Sequence, residues 1–294
     1  MKPDALQVVR LHWRNTLYSN VWISAGASAW VWQAEVVSGH SSNGWLPFLA
    51  FCSTIFIYNF QRIIKSQQRA QSSGSGRVRW MDRNSLFLWI WTIAGAMGLL
   101  ACLPQLHAVD WLLLSFPGLI SLLYIARIFR YRGKRLSGRQ LPFIKIWLIG
   151  LSWAIMGTWF PLLHFEGAGS IGDPVVWYWF AEKLLFIVAI TIPFDIRDLK
   201  FDAPSMNTFP QWLGVKRSKI LAVGFLAVGG MLAIRQMMLG WYTPLQCGAL
   251  WMIQLLAIFL VWRSHSSRPE SWYVGWIDGT ILLQSLAVIS ANYL

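Results

Sequence analysis

Nine stretches of about 20 mostly apolar residues divide this chain, at roughly 16–36, 44–64, 85–104, 108–128, 143–163, 175–194, 217–239, 243–262 and 272–292. A helix rising 1.5 Å per residue needs that length to cross a hydrocarbon layer about 30 Å thick. The fold class that follows is all-α, a polytopic membrane protein of about nine transmembrane helices. The spans and their connections use all 294 residues, which predicts a single transmembrane domain over 1–294 with no separate soluble domain. With 56% hydrophobic residues, 13% charged ones and 20 tryptophans, the chain lies outside the range of a soluble globular protein.

The charges set an orientation, because lysine and arginine collect in cytosolic loops. With the N-terminus inside, 23 of the 25 basic residues fall on the cytosolic side, and segments 37–43, 105–108, 164–174 and 240–242 contain none. The expectation is N-in and C-out, with cytosolic loops at 68–84, 129–142 and 195–216, in a bacterial inner membrane. The net charge of +13 then reflects topology and attraction to membrane lipids. It predicts no nucleic acid partner, since the basic residues sit between apolar runs and not on a soluble face. No obligate protein partner is indicated.

Cys52, Cys102 and Cys247 lie in or beside apolar runs without metal or redox spacing and read as small packing residues. His12, His40, His107, His164 and His265 are scattered and give no sign of a metal site. The loops expected outside are short and those inside are long, so chemistry is expected on the basic side.

That side holds six carboxylates, and three of them, Asp195, Asp198 and Asp202, fall within eight residues. Spacings of three, four and seven put them on one face of a helix, where like charges repel by a few tenths of a kcal/mol, about 0.2–0.5 per pair. A hard cation removes that repulsion, and Mg²⁺ is commonly held by one or two carboxylates together with substrate phosphates. The alternative is a solvated helix end whose acids pair with Arg197, Lys200 and nearby basic loops. Spacing does not separate the two.

The segment from Asp195 to Gly214 resembles the second aspartate-rich motif of the UbiA superfamily of intramembrane prenyltransferases. In that motif Asp-x-x-x-Asp precedes a stretch like Thr-x-Pro-x-x-Leu-Gly. Asp198 and Asp202 match the aspartates, and Thr208, Pro210, Leu213 and Gly214 match the trailing positions. Tyr131-Arg-Gly-Lys-Arg135 is similar to the family's Tyr-x-x-x-Lys element. The resemblance spans about 44–219 and implies a UbiA-type bundle, Mg²⁺ as cofactor, and transfer of a polyprenyl group from its diphosphate to an aromatic or other small acceptor. It implies Asn59, Asp198 and Asp202 as catalytic residues and Asp195, Asp198 and Asp202 as metal ligands. Arg62, Lys65, Arg132, Lys134 and Arg135 become candidates for holding the prenyl diphosphate.

The family's first motif, Asn-Asp-x-x-Asp-x-x-x-Asp, falls on Asn59 to Gln67. Asn59 is kept, but Phe60, Ile63 and Gln67 occupy the aspartate positions. Two readings follow. Arg62 and Lys65 replace one metal with fixed positive charge, or the protein keeps isoprenoid or lipid binding without catalysis. A transporter is a third class, which predicts polar residues across the membrane centre, whereas here they are expected to stop in the cytosolic third.

Ionisable residues inside spans are costly enough to be functional candidates. Asp278 lies at a depth where it can face the same cavity as Asp198, as a base or as an ion-pair partner. Arg235 is expected to snorkel outward. Glu182 and Lys183 are expected to pair across helices with other groups, because sequence neighbours on a helix point apart.

Overall fold

In hydrocarbon a backbone must satisfy its own N–H and C=O groups, so each apolar stretch has helix as its solution. A computed structural model describes residues 5–68, 76–125, 129–131, 134–136, 144–200 and 208–294. Its helices are α1 (Ala5–Tyr18), α2 (Val21–Ser38), α3 (Trp45–Gln68), α4 (Gly76–Arg83), α5 (Ser85–Cys102) and α6 (Ala108–Ile125). They continue with α7 (Ile144–Gly157), α8 (Trp159–Glu166), α9 (Pro174–Asp198), α10 (Phe209–Met238), α11 (Pro244–Trp262) and α12 (Gly279–Ser290). A small antiparallel hairpin, β1 (Phe129–Tyr131) and β2 (Lys134–Leu136), lies within the stretch expected as a loop at 129–142.

Six segments among the described residues are long and apolar enough to cross a membrane: Ser85–Gln105, Ile144–Glu166, Pro174–Asp198, Phe209–Met238, Pro244–Trp262 and Trp272–Ser290. Ala108–Leu123 is a shorter apolar helix. The helices α2 and α3 coincide with the first two apolar stretches. Two helices lie where loop was expected. The basic N-terminus forms α1, cut from α2 at Asn20, whose φ of 64° lies in the left-handed region. The second half of the expected 68–84 loop forms α4.

Helix ends follow local chemistry. Asp173 accepts from the backbone N–H of Val175 at 2.8 Å and Pro174 follows as the first residue of α9. Thr243 and Gln246 form a capping box that starts α11. The matched positions of the UbiA-like stretch have a physical role here. Gln211 accepts from the backbone N–H of Thr208, Pro210 occupies the first turn of α10, and Gly214, with φ 78° and ψ 161°, breaks the helix. Only glycine takes that conformation without strain.

Small residues let helices approach closely. A Cβ on Gly98 of α5 would lie 2.4 Å from the Cys52 sulfur of α3, and one on Gly157 of α7 would lie 1.9 Å from Nε1 of the buried Trp30 of α2. Gly157→Ala is expected to cost about 1–3 kcal/mol through overpacking. Thermal unfolding in detergent micelles reads the loss.

The core has a layered order along five helices. One apolar layer holds Trp30, Phe186, Leu226, Ala257 and Ile281. A second holds Ala34, Trp179, Ala233, Leu250 and Val288. Between them, on four of the same helices, lie Gln33, Glu182 with Lys183, Gln254 and Gln284, all fully buried. The expectation that polar residues stop in the cytosolic third therefore fails. Gln236 and Tyr242, on the side of the second apolar layer, both bond to Glu182 and extend the polar layer that way.

Candidate functional site at the Asp198 end

The helix α9 runs 25 residues, about 37 Å at 1.5 Å per residue, and ends at Asp198. Asp195 and Asp198 lie one turn apart on its last two turns. Asp202, the third acid of the expected one-face arrangement, lies outside the described residues. Tyr58, beside Asn59, and Phe194, beside Asp195, pack against one buried core, so the ends of α3 and α9 share one end of the bundle.

Both acids are engaged by bases. Lys145, near the start of α7, donates to Asp195 Oδ1, and both residues are buried. Arg197 grips its neighbour with both arms of the guanidinium, Nε to Asp198 Oδ1 at 2.7 Å and Nη2 to Oδ2 at 3.1 Å. Glu270 and Asp278 also act on the Arg197 charge. Its guanidinium lies over the Phe194 and Tyr273 rings, 5.1 and 5.5 Å from their centroids. Arg197, which sequence reading treated only as a local partner, thus sits among Asp198, Glu270, Asp278 and two aromatic rings.

Asn59 is fully buried and its Oδ1 accepts from Asn20 Nδ2 at 2.6 Å, tying α3 to the start of α2. Its own Nδ2 is buried without a hydrogen-bond partner. Arg62 is half-buried one turn further along α3. At the positions of the missing aspartates Phe60 is exposed and Ile63 is buried. The side chains of Lys65, Lys134 and Arg135 lie outside the described residues, as does Arg132 entirely. Lys134 and Arg135 belong by backbone to β2, opposite Tyr131 and Arg130.

The described residues do not fit a Mg²⁺ ion as they stand. Asp195 is committed to Lys145, both Asp198 oxygens accept from Arg197, and the first motif offers no carboxylate. Each acid already has its counter-charge, which leaves little negative potential to draw a divalent cation.

The polar layer deeper in the bundle is what sequence reasoning missed. Glu182 and Lys183 do meet, with Nζ 3.7 Å from Oε1, and Lys183 also lies 4.2 Å above the Trp30 ring. Tyr242 donates to Glu182 Oε2 at 2.9 Å and Gln236 Nε2 approaches it at 3.5 Å. Burial, then the adjacent Glu182 carboxylate, holds the Tyr242 hydroxyl protonated well above the usual phenol range. The amide atoms of Gln33, Gln254 and Gln284 are buried without partners. Each such group costs about 1–3 kcal/mol unless water or another polar group meets it.

No family model matches this sequence, and no curated protein matches it. A solved structure described as giving structural and mechanistic insights into the biosynthesis of digeranylgeranylglyceryl phosphate synthase in membranes does match. Its identity to this chain is 14%, its TM-score 0.58, and the match covers 96% of this chain and 98% of that one. The chain therefore shares the all-helical membrane fold of that structure. At this identity the likeness speaks for the fold alone.

Proposed function

We propose that this protein binds a prenyl diphosphate at the Asp198 end and transfers its prenyl group to an aromatic or other small acceptor. The observation that carries the reading is the construction of that end. In a bundle of UbiA-like fold, α9 delivers Asp195, Arg197 and Asp198 beside the Thr208-started, Gly214-broken α10. In the proposed topology nine spans run N-in and C-out, with this end facing the cytosol of a bacterial inner membrane, and the bilayer supplies the prenyl substrate.

The reaction asks little covalent work of the protein. The bond from allylic C1 to the diphosphate oxygen breaks with its electron pair on the oxygen, a bond from the acceptor to C1 forms, and the acceptor loses a proton. Transition-state stabilisation rests on charge placed at the leaving oxygens. No step here runs through a metal. Arg62, Lys65, Arg132, Lys134 and Arg135 are assigned to the diphosphate, with Arg197 as a switchable base that can exchange Asp198 for phosphate oxygens. Asp278 is assigned as acceptor of the released proton or as a partner of Arg197, and Asn59 as a hydrogen-bond donor through its orphaned Nδ2.

A second reading, binding without transfer, is favoured by one specific observation: both described acids of the motif are held in ion pairs. One experiment separates the readings. Purified protein is given farnesyl and longer prenyl diphosphates, in Mg²⁺ and in EDTA, and binding and diphosphate release are followed. The fixed-charge reading expects binding to weaken less than about threefold in EDTA and at least tenfold in Arg62→Ala, in keeping with loss of one charge-assisted contact of about 1.5–3 kcal/mol. Binding without release makes the protein a non-catalytic carrier. No binding in either buffer removes both readings.

A further inference from the structure

At the end of the bundle opposite Asp198, three residues far apart in sequence come together. His107 precedes α6, Asp110 lies in its first turn, and His164 lies near the end of α8. One ligand atom from each lies within 4.8 Å of the others. The histidine rings stack at 4.5 Å between centroids and 5° between planes. Asp110 Oδ2 accepts from the backbone N–H of His107 at 2.7 Å and bonds His164 Nδ1 at 2.8 Å.

The unusual member is Asp110. It is fully buried, and its second oxygen, Oδ1, has no hydrogen-bond partner. A buried carboxylate needs a compensating charge. Its ion-pair partner among the described residues is His164 alone, and segments 105–108 and 164–174, which close this end, contain no lysine or arginine. A second carboxylate, Glu35, is buried nearby with an orphaned Oε1 and acts electrostatically on His164. Trp45 and Phe165 meet the His164 ring edge to face, both at 5.0 Å, and lower the local polarity.

We propose that His107, Asp110 and His164 form a binding site for one divalent transition-metal ion, zinc by preference. Two imidazoles and a carboxylate are a set that zinc accepts with a fourth position open. Asp110 offers Oδ1 while Oδ2 keeps its bond from the His107 N–H, an outer hydrogen bond of the kind that orients ligands, and His164 exchanges its bond to Oδ2 for the metal at Nδ1. Imidazole lone pairs lie in the ring plane, so parallel rings cannot share one metal. His107, whose residue is exposed, turns its ring out of the stack to bind, and the donor spacing contracts toward the roughly 3.4 Å that tetrahedral bonds of about 2.1 Å give.

The test uses the full chain without a histidine tag, in detergent micelles, with Zn²⁺ and Co²⁺ as probes. Expected are one metal per chain after desalting, visible Co²⁺ absorption of tetrahedral intensity, and a higher Tm in Zn²⁺ that Mg²⁺ does not produce. His107→Ala, at an exposed ring, should keep the metal-free Tm and lose metal affinity at least tenfold, and Asp110→Asn should lose it further. Failure of the unaltered protein to retain zinc, or equal retention by His107→Ala, overturns the proposal. If EDTA-treated protein shows no Tm change on adding zinc, no metal site exists.

Discussion

Lys183→Met loses about 3–5 kcal/mol of stability in micelles, and Glu182→Gln combined with Lys183→Met recovers much of it. Removing one member of a buried pair leaves an uncompensated charge, whereas replacing both by groups of similar size is often neutral or stabilising. Lys183 and Glu182 are both fully buried, and the lysine has no hydrogen bond beyond its ion pair. Among the described residues, Lys183→Met leaves Glu182 held by Tyr242 and Gln236. Unfolding of the two variants in urea-containing mixed micelles gives the comparison, and equal losses in single and double variants would sink the account.

Trp30→Ala should cost a similar amount, about 3–5 kcal/mol, the usual range for truncating a buried tryptophan. The ring is fully buried, stacks on Phe186 at 5.8 Å between centroids, and donates from Nε1 to the Trp153 carbonyl at 3.1 Å. It also lies beneath the Lys183 ammonium. Losses in Trp30→Ala and Lys183→Met should therefore not add, with a double-mutant coupling of at least 0.5 kcal/mol, as residues in contact show. Strict additivity would mean that the ring and the ammonium do not interact. Trp30→Phe, which keeps the stacking surface but no indole donor, separates packing from the hydrogen bond.

Helix positions were legible in the sequence because a membrane writes them as length. Runs such as 243–262 and 175–194 return as α11 and α9 with boundaries displaced by a few residues, fixed by Thr243, Asp173 and the prolines that follow them. The break at Asn20 was not legible, since a left-handed asparagine leaves no mark on hydropathy. Pair identities were harder still. Asp195 meets Lys145 from 50 residues away, and Asp110 meets His164 from 54. Spacing rules see one helix at a time, and these bonds are made between helices. The Glu182 and Lys183 contact fails the rule in another way. Side chains one residue apart leave the helix about 100° apart, but long flexible stems can bend back when burial gives neither charge a better partner.

The polar layer also has a consequence in time. A lysine or an acid at a helix centre adds about 2.5–3.5 kcal/mol to insertion as the translocon reads it, so α9 enters the bilayer carrying an unsettled debt of solvation. Tyr242, which finally bonds Glu182, is made 60 residues later. At about 5–20 residues per second that is roughly 3–12 s of synthesis. During that interval the half-built protein holds a charged pair in lipid with none of its later partners, and α9 can settle only after α10 and the turn beyond it have arrived. Chains truncated just before and just after residue 242, once released from the ribosome, should differ sharply in how firmly α9 stays in the membrane.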